Sequence, residues 1–497
     1  MSKKSRIAPP TQASPKKGFA EAPSAFAAAD PNKLNVVSGW EDDPEPAVAT
    51  ERPIPDLKKT PLAFSFTEDQ PAPGVYPHGT PEFRYWSAAE ALRRGADFWA
   101  KFVPTGQWQM GSTLKVIMDE GEDLNAFYDR QALNFFHGPG QDGVVFSGES
   151  PDIVCHEMGH AILDSIKPQL WDVAASEPPA FHESFADISA LLSALQLQSL
   201  RIAILKETNG RLFRNSRLSR LAEQLGTAIR IQFPDAVDSD CLRNAVNSFV
   251  YQDPTTLPQS TPASQISSEP HSFSRVFTGA VFEIMGGMLS KKAAAPDNPT
   301  EAELLAVSEE IAEILVEGVK QAPVVPNWYA QVAAGMVTES ANVNAGYPAI
   351  LKAAFVRRSI LSMESAASVQ ALHASIAAVG ATALAAETSW PLTDLALTAG
   401  DYGLDQPLLV GAASHPRSIV ARSAAVQVNG SAEPASSSTA ARTFVEDLFS
   451  QGRVHYGEFA EAGAHFDHGR RLRTHELVKE KDGIRLRRRL FDCGIAH

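Results

Sequence analysis

The order of apolar and polar positions predicts a chain that mixes helices with strands. Ser87 and Glu90 have the spacing of a capping box, which predicts a helix through about Val103. Residues 114–118 read as a strand that leads into the segment holding Asn125. The first part of the folded region is therefore expected to be α+β.

Ser150 begins a segment with the signals of a buried helix. Ser150 is a good N-cap, Pro151 fits the first helical position, and Asp152 suits the positive end of the helix dipole. The apolar positions that follow suit a helix in the core; they are Ile153, Val154, Cys155, Met158, Ala161, Ile162 and Leu163. In such a helix, His156 and His160 lie one turn apart on the same face.

Helical patterns dominate residues 179–375, where Thr300 and Glu303 form a second capping box. Residues 431–440 have the low complexity that is typical of a linker. A hairpin is expected within residues 476–490, where a turn sequence separates two apolar and charged runs.

Composition narrows the class of protein. A hydrophobic content of 44% with 21% charged residues allows a sizeable core. The net charge of −14 argues against nucleic-acid binding and against affinity for anionic membranes. The sequence contains no run of about 18 apolar residues, so it predicts no membrane span. The cysteines are too few and too far apart to indicate a disulfide framework; they are Cys155, Cys241 and Cys493.

Residues 156–160 read His-Glu-Met-Gly-His, which is the H-E-x-x-H zinc signature. Glu183 follows on another expected helix and supplies a carboxylate where a third ligand is needed. Two imidazoles and a carboxylate leave one zinc position open, which indicates a catalytic site rather than a structural one. A chance match would lack both the capped apolar helix and the later glutamate.

Four blocks in this order resemble the thermolysin-like metallopeptidases, the gluzincin group, over roughly residues 80–375. Residues 125–128 resemble the Asn-Ala-aromatic edge strand of that family, and residues 152–161 resemble its zinc helix. Residues 183–187 resemble its third-ligand helix, and residues 270–275 resemble a later histidine motif that opens another helix.

The resemblance implies an α+β, two-lobed catalytic domain. A mixed α/β N-terminal lobe and a mostly helical C-terminal lobe would enclose the zinc cleft between them. The expected divisions are a disordered Pro/Ala-rich tail (1–80), the α+β lobe (81–178), the helical lobe (179–375), a helical extension with a linker (376–440) and a small appendix with a hairpin (441–497).

The resemblance also implies roles for the residues in the motifs. His156, His160 and Glu183 would bind one catalytic zinc ion, which activates water. Glu157 would act as general base and later pass the proton to the leaving amine. Asp187 would accept a hydrogen bond from His156 and fix its tautomer.

The remaining implied roles concern the substrate. His271 would donate to the oxyanion of the tetrahedral intermediate. Asn125 and the Ala126 carbonyl, with Tyr128 in the same strand, would pair with the extended backbone of the substrate. Ile153 aligns with an apolar wall of the substrate pocket and is equally consistent with a plain core position.

Several positions depart from the family pattern. Trp171 stands where an ungapped count expects an oxyanion-binding tyrosine, and an indole offers one N–H donor but no hydroxyl. Ile266 replaces the aspartate that orients the later histidine, for which Glu269 could substitute. The acidic residues of the family's calcium sites are missing after the third-ligand helix, so calcium is not expected. Arg243 and Arg275 are candidates for an arginine that clamps the substrate.

The sequence therefore predicts a zinc-dependent endopeptidase that acts on peptides or unfolded proteins. Two alternatives stay open: a catalytically weakened binding protein with this fold, and a zinc amidase that acts on a non-peptide substrate. The oligomeric state and the cleavage specificity are not predicted.

The N-terminal residues are basic, but no apolar segment of a signal peptide follows them. The expectation is a cytoplasmic protein or one exported without a leader, although this family is usually secreted. The N-terminal tail is the simplest candidate for a segment that limits the activity, either by covering the cleft or by carrying an export address.

Overall fold

The computed structural model describes residues 35–43, 49–141, 143–369, 392–413, 421, 423, 435–459 and 472–494. The strands are β1 (Val36–Gly39), β2 (Thr50–Pro53), β3 (Phe64–Phe66), β4 (Leu114–Ile117), β5 (Ala126–Tyr128), β6 (Ala132–Phe135), β7 (His137–Pro139), β8 (Val144–Phe146), β9 (Arg220–Leu221), β10 (Arg243–Asn244), β11 (Thr393–Leu397), β12 (Leu408–Ala412), β13 (Val454–His455), β14 (His475–Glu480), β15 (Gly483–Arg488) and β16 (Phe491–Asp492). The helices are α1 (Pro81–Trp99), α2 (Pro151–Ile166), α3 (Glu177–Ala194), α4 (Gln198–Thr208), α5 (Glu223–Gln232), α6 (Pro270–Lys292), α7 (Glu301–Gln321), α8 (Trp328–Val343), α9 (Tyr347–Arg357) and α10 (Ser437–Ser450).

The sheet that positions the site has the strand order β16-β5-β6-β4-β3. The pairs β3/β4 and β4/β6 are parallel, whereas β5/β6 and β16/β5 are antiparallel. The outermost strand next to β5 is therefore supplied by residues from the far end of the chain.

Helix α2 begins as its sequence predicts. The Ile153 amide donates to the Ser150 hydroxyl at 3.4 Å, and Pro151 is the first helical residue. Helix α2 packs against α3, which in turn packs against α6. A Cβ atom added at Gly159 would lie 2.7 Å from the Ala186 Cα, so the absence of a side chain lets α2 and α3 approach closely.

Helices α6, α7, α8 and α9 pack on one another behind this pair and share one large apolar core with α1, α2 and α3. The capping box of α7 is formed by Thr300 and Glu303 as predicted. The described chain thus has a mixed α+β fold with helices dominating residues 179–369.

A second five-stranded sheet has the order β11-β12-β15-β14-β13 and packs with α10 around its own apolar cluster. The hairpin expected within residues 476–490 is formed by β14 and β15. In the described part of residues 376–440, β11 and β12 come before the start of α10 at Ser437, whereas the sequence suggested a helical extension with a linker there.

The start of the chain also differs from expectation. Helix α1 begins at Pro81 and is capped by Thr80, so Ser87 lies inside the helix, where its hydroxyl donates to the Glu149 carbonyl at 2.9 Å. The composition favoured a disordered tail through residue 80, but the described part of that stretch forms β1, β2 and β3. Trp40 is buried there, because it packs against α1.

Among the described residues, no single helix has the length and apolar composition of a membrane span. The bent pair α3 and α4 passes that criterion only when the two helices are taken together across an angle of 102°. Helix α3 is buried along its whole length.

Candidate metal and peptide-binding site

Three side chains of the H-E-x-x-H region and α3 converge in the buried interior. The Nε2 atom of His156 lies 3.3 Å from one oxygen of Glu183, and the Nε2 atom of His160 lies 3.6 Å from the other. One ligand atom from each residue lies within 4.8 Å of those of the other two. The helical spacing of α2 and its close contact with α3 produce this arrangement.

The same atoms lack ordinary partners. Within the described part of the chain, Nε2 of His156, both ring nitrogens of His160 and one oxygen of Glu183 are buried without a hydrogen bond. Leaving several buried polar atoms unpaired is costly, and a bound cation would satisfy one atom from each of the three residues. The three residues therefore fit a metal ion.

Asp187 supports the first of these ligands. Its Oδ1 atom lies 3.0 Å from Nδ1 of His156, and it also accepts from Nη2 of Arg243 at 2.8 Å. Burial opposes ionisation of Asp187, but Arg243 and His156 outweigh it and lower the pKa of that carboxyl to about 2. Asp187 is thus an ionised acceptor that orients the His156 ring.

The two candidate arginines differ in location. Arg243 contacts Asp187, and its Nη1 atom is buried without a partner among the described residues. Arg275 instead donates to the carbonyls of Ala263 and Gln265 in the loop before α6. Only Arg243 is therefore part of the hydrogen-bonded network around the three converging side chains.

Glu157 lies next to the first histidine and is fully buried. Neither of its carboxylate oxygens has a hydrogen bond to a described residue. Burial, the largest effect, raises the pKa of Glu157 to about 8. The Glu157 carboxyl therefore takes up a proton more readily than an exposed glutamate does.

His271 is the second residue of α6 and lies beside the same group of ligands. Its Nδ1 atom lies 2.6 Å from Glu269 Oε1, and its Nε2 atom lies 3.4 Å from Glu183. Burial opposes protonation of His271, but Glu269 and Glu183 raise the pKa of its ring to about 10. Glu269, which the sequence suggested as a partner for this histidine, therefore contacts the His271 ring.

Strand β5 packs against α2 beside this group of side chains, and residues 491–494 pair with it. The Cys493 amide donates to the Ala126 carbonyl at 2.8 Å. The Gly494 amide donates to Oδ1 of Asn125 at 2.6 Å. Asn125 and Ala126 therefore already bind an extended backbone, one that belongs to this chain.

The other three residues with a predicted substrate role are buried. The Tyr128 side chain is buried, and its hydroxyl donates to Asp164 at 3.1 Å. Ile153 is also buried and belongs to the main core. The Trp171 N–H donates to the Arg488 carbonyl at 3.2 Å, so this donor is not free for an oxyanion.

Two features of the site were missed by sequence reasoning. His182 stacks on Phe491 with 4.0 Å between ring centroids, and Phe491 also stacks on His160 at 5.1 Å. His182 directly precedes the predicted ligand Glu183, which was a usable signal. No local signal connected Phe491 to histidines so distant in sequence.

No family model and no curated protein sequence matches the chain. Among solved structures, the chain is similar to the precursor of protealysin, a metalloproteinase from Serratia proteamaculans. The match has 15% sequence identity and a TM-score of 0.36, and it covers 60% of this chain and 86% of that one.

Proposed function

We propose that the protein is a zinc-dependent endopeptidase that cleaves peptides or unfolded proteins. The observation that carries this proposal is the buried group His156, His160 and Glu183, whose converging ligand atoms lack hydrogen bonds, next to the unpartnered carboxylate of Glu157. A metal site used only for stability has no need of a buried carboxylate beside its ligands.

The donor set favours zinc over other ions. Two imidazole nitrogens and one carboxylate oxygen are ligands that zinc accepts, and three protein ligands leave a position for catalysis. Calcium instead prefers a larger set of oxygen ligands. A zinc ion in this site would supply a Lewis acid that polarises water and the carbonyl of the scissile bond.

The neighbouring residues supply the remaining parts of a hydrolysis. Glu157 accepts the proton of the attacking water and returns it to the leaving amine. His271, held by Glu269, donates a hydrogen bond to the oxygen on which negative charge develops. Asn125 and the Ala126 carbonyl hold the substrate backbone in an extended conformation. Asp187 keeps the His156 ring in the orientation that binding requires.

The test is peptide hydrolysis by the zinc-loaded chain and by the same chain with Gly494→Pro. The proline removes the N–H that donates to Asn125 and so weakens the pairing of residues 491–494 with the cleft. A library of quenched peptides and a panel of non-peptide amides are assayed with and without a chelator.

We expect zinc-dependent cleavage within the peptides, abolished by the chelator and restored by zinc. Cleavage of non-peptide amides alone would replace the peptidase by an amidase. Equal rates with and without the chelator would contradict a metal-dependent reaction.

A non-catalytic binding protein is the second candidate, because the cleft holds a segment of this chain instead of lying open. The buried carboxylate of Glu157 weighs against it, since a binding protein has no use for a general base. Zinc binding with no hydrolysis by either chain would favour the binding protein.

A further inference from the structure

Residues 491–494, termed here the cleft segment, lie in the cleft as an added strand. Phe491 and Asp492 pair with Tyr128 and Phe127 in an antiparallel register. The pairing continues through the Cys493 amide, which donates to the Ala126 carbonyl at 2.8 Å. Main-chain pairing of this kind is the way in which an extended peptide binds to the edge of a sheet.

One peptide bond of the cleft segment lies where the proposed mechanism would act. The Asp492 carbonyl oxygen lies 2.5 Å from Nε2 of His271, and the amide of the next residue faces Ala126. The bond between Asp492 and Cys493 is therefore held between the proposed oxyanion donor and strand β5, as the bond of a substrate would be.

Side-chain contacts anchor the two residues that come before that bond in the chain. The Phe491 ring stacks on His182 and meets Trp171 edge-on at 5.2 Å between centroids. The Asp492 carboxylate accepts from Nη2 of Arg453 at 2.7 and 2.8 Å. Both residues are buried, so the segment is packed rather than laid on the surface.

Cys493 fills the space beside the proposed base. Its side chain is 1% exposed, and its sulfur lies within 4.8 Å of ligand atoms of both His156 and Glu157. A water molecule that attacks the substrate would need the same space, because Glu157 must reach its proton. The thiol therefore obstructs the position of the nucleophile.

We infer that the cleft segment is a built-in inhibitor, which binds the active cleft as a substrate would and must leave before a peptide can enter. The inference rests on the proposed function, because an inhibitor requires an activity to block. It also indicates the class of substrate: an extended peptide with an aromatic residue one position before the residue whose carbonyl faces His271.

The experiment uses the full chain loaded with zinc and compares the parent with Gly494→Pro. A Cβ at position 494 would lie 2.6 Å from Oδ1 of Asn125, so the substitution also adds a clash. Gly400→Ala is the control, because nothing lies within 4 Å of the added Cβ there. Hydrolysis of an extended peptide containing phenylalanine is measured together with alkylation of each cysteine, followed by mass spectrometry.

We expect Gly494→Pro to raise kcat/KM about tenfold or more, which corresponds to a loss of segment affinity of one order of magnitude. Alkylation of Cys493 should accelerate in the same variant, while the buried Cys155 and Cys241 stay slow as internal controls. A synthetic peptide with the sequence Leu-Phe-Asp-Cys-Gly should inhibit the variant competitively, and replacing its phenylalanine by alanine should weaken that inhibition.

Three outcomes discriminate the inference from the proposed function. Equal hydrolysis by parent and variant, with rapid alkylation of Cys493 in both, would overturn the inhibitor. Release of the residues after Asp492 on zinc loading would also overturn it, since the segment would then be a substrate. A third result would be slow alkylation of Cys493 in the parent, fast alkylation in the variant and no hydrolysis by either chain. That result would support binding of the segment and reject the peptidase.

Discussion

His271 depends on a carboxylate to act as a hydrogen-bond donor. Glu269 Oε1 contacts its Nδ1 atom at 2.6 Å, while Glu269 Oε2 accepts from the Ser272 amide at 2.9 Å and caps α6. Glu269 is therefore a positioning residue: it holds the ring in place and favours its protonated form, which can donate from Nε2.

We predict that Glu269→Gln lowers kcat roughly 10–100-fold with a smaller change in KM. The sign of the pH effect follows from the charge. Glu269 raises the pKa of His271, so removing the Glu269 charge lowers that pKa. As pH rises, the protonated donor form of His271 is then lost at a lower pH than in the parent. The alkaline limb of the pH–rate profile should therefore move to lower pH. A uniform loss of rate with an unmoved limb would mean that Glu269 serves only as a helix cap.

The sequence identifies those site residues that lie close together along the chain. His156, Glu157 and His160 share one helix, so their spacing alone predicts a common face. Glu269 could be suggested because it lies two positions before His271. The link between Arg243 and Asp187 could not be predicted, because it depends on how β10 packs near α3.

Among the helices, the contact between α2 and α3 sets the distance between the proposed zinc ligands. Gly159 lies where a Cβ would meet the Ala186 Cα and the Ser189 Cβ, both at 2.7 Å. Backbone atoms cannot rotate aside, so a side chain at this position must separate the two helices. The separation would move His160 away from Glu183.

We predict that Gly159→Ala destabilises the protein by about 1–3 kcal/mol and weakens zinc binding. The matched control is Gly286→Ala in α6, where the added Cβ meets Phe213 at an ordinary distance of 3.6 Å. That substitution should leave zinc binding unchanged and stabilise the protein by about 0.5–1 kcal/mol. Urea unfolding and zinc titration measure both effects, and equal zinc affinity in the two variants would contradict the proposed role of the contact.

Helices α2 and α7 begin at the residues that the sequence predicts, because in both a capping residue comes directly before a run with helical spacing of apolar residues. Ser150 and Thr300 cap α2 and α7 as their patterns predict. Ser87 and Glu90 have the same spacing but lie inside α1, because Thr80 and Pro81 begin that helix earlier. A capping pattern alone does not distinguish the start of a helix from its interior.

The arrangement of the whole molecule depends on contacts between distant parts of the chain. Strand β16 joins β5, and Arg453 near β13 holds Asp492. Contacts between residues so far apart in sequence leave no periodic pattern of apolar positions. The sequence therefore suggested the N-terminal tail as the segment that covers the expected cleft. Residues 491–494 pair with β5 and contact His271, whereas residues 1–34 of the tail lie outside the described residues.

In the proposed reaction, Glu157 transfers protons beside a zinc ion held by His156, His160 and Glu183. The most direct test is the turnover rate of Glu157→Gln in the Gly494→Pro chain, measured together with zinc content. Glutamine keeps the size of the side chain but cannot accept the proton of water. We expect about one zinc ion per chain in both proteins and a fall in kcat of about 10²–10⁴-fold. If the double variant retains zinc and hydrolyses the peptide as fast as Gly494→Pro alone, Glu157 is not the proton-transfer group.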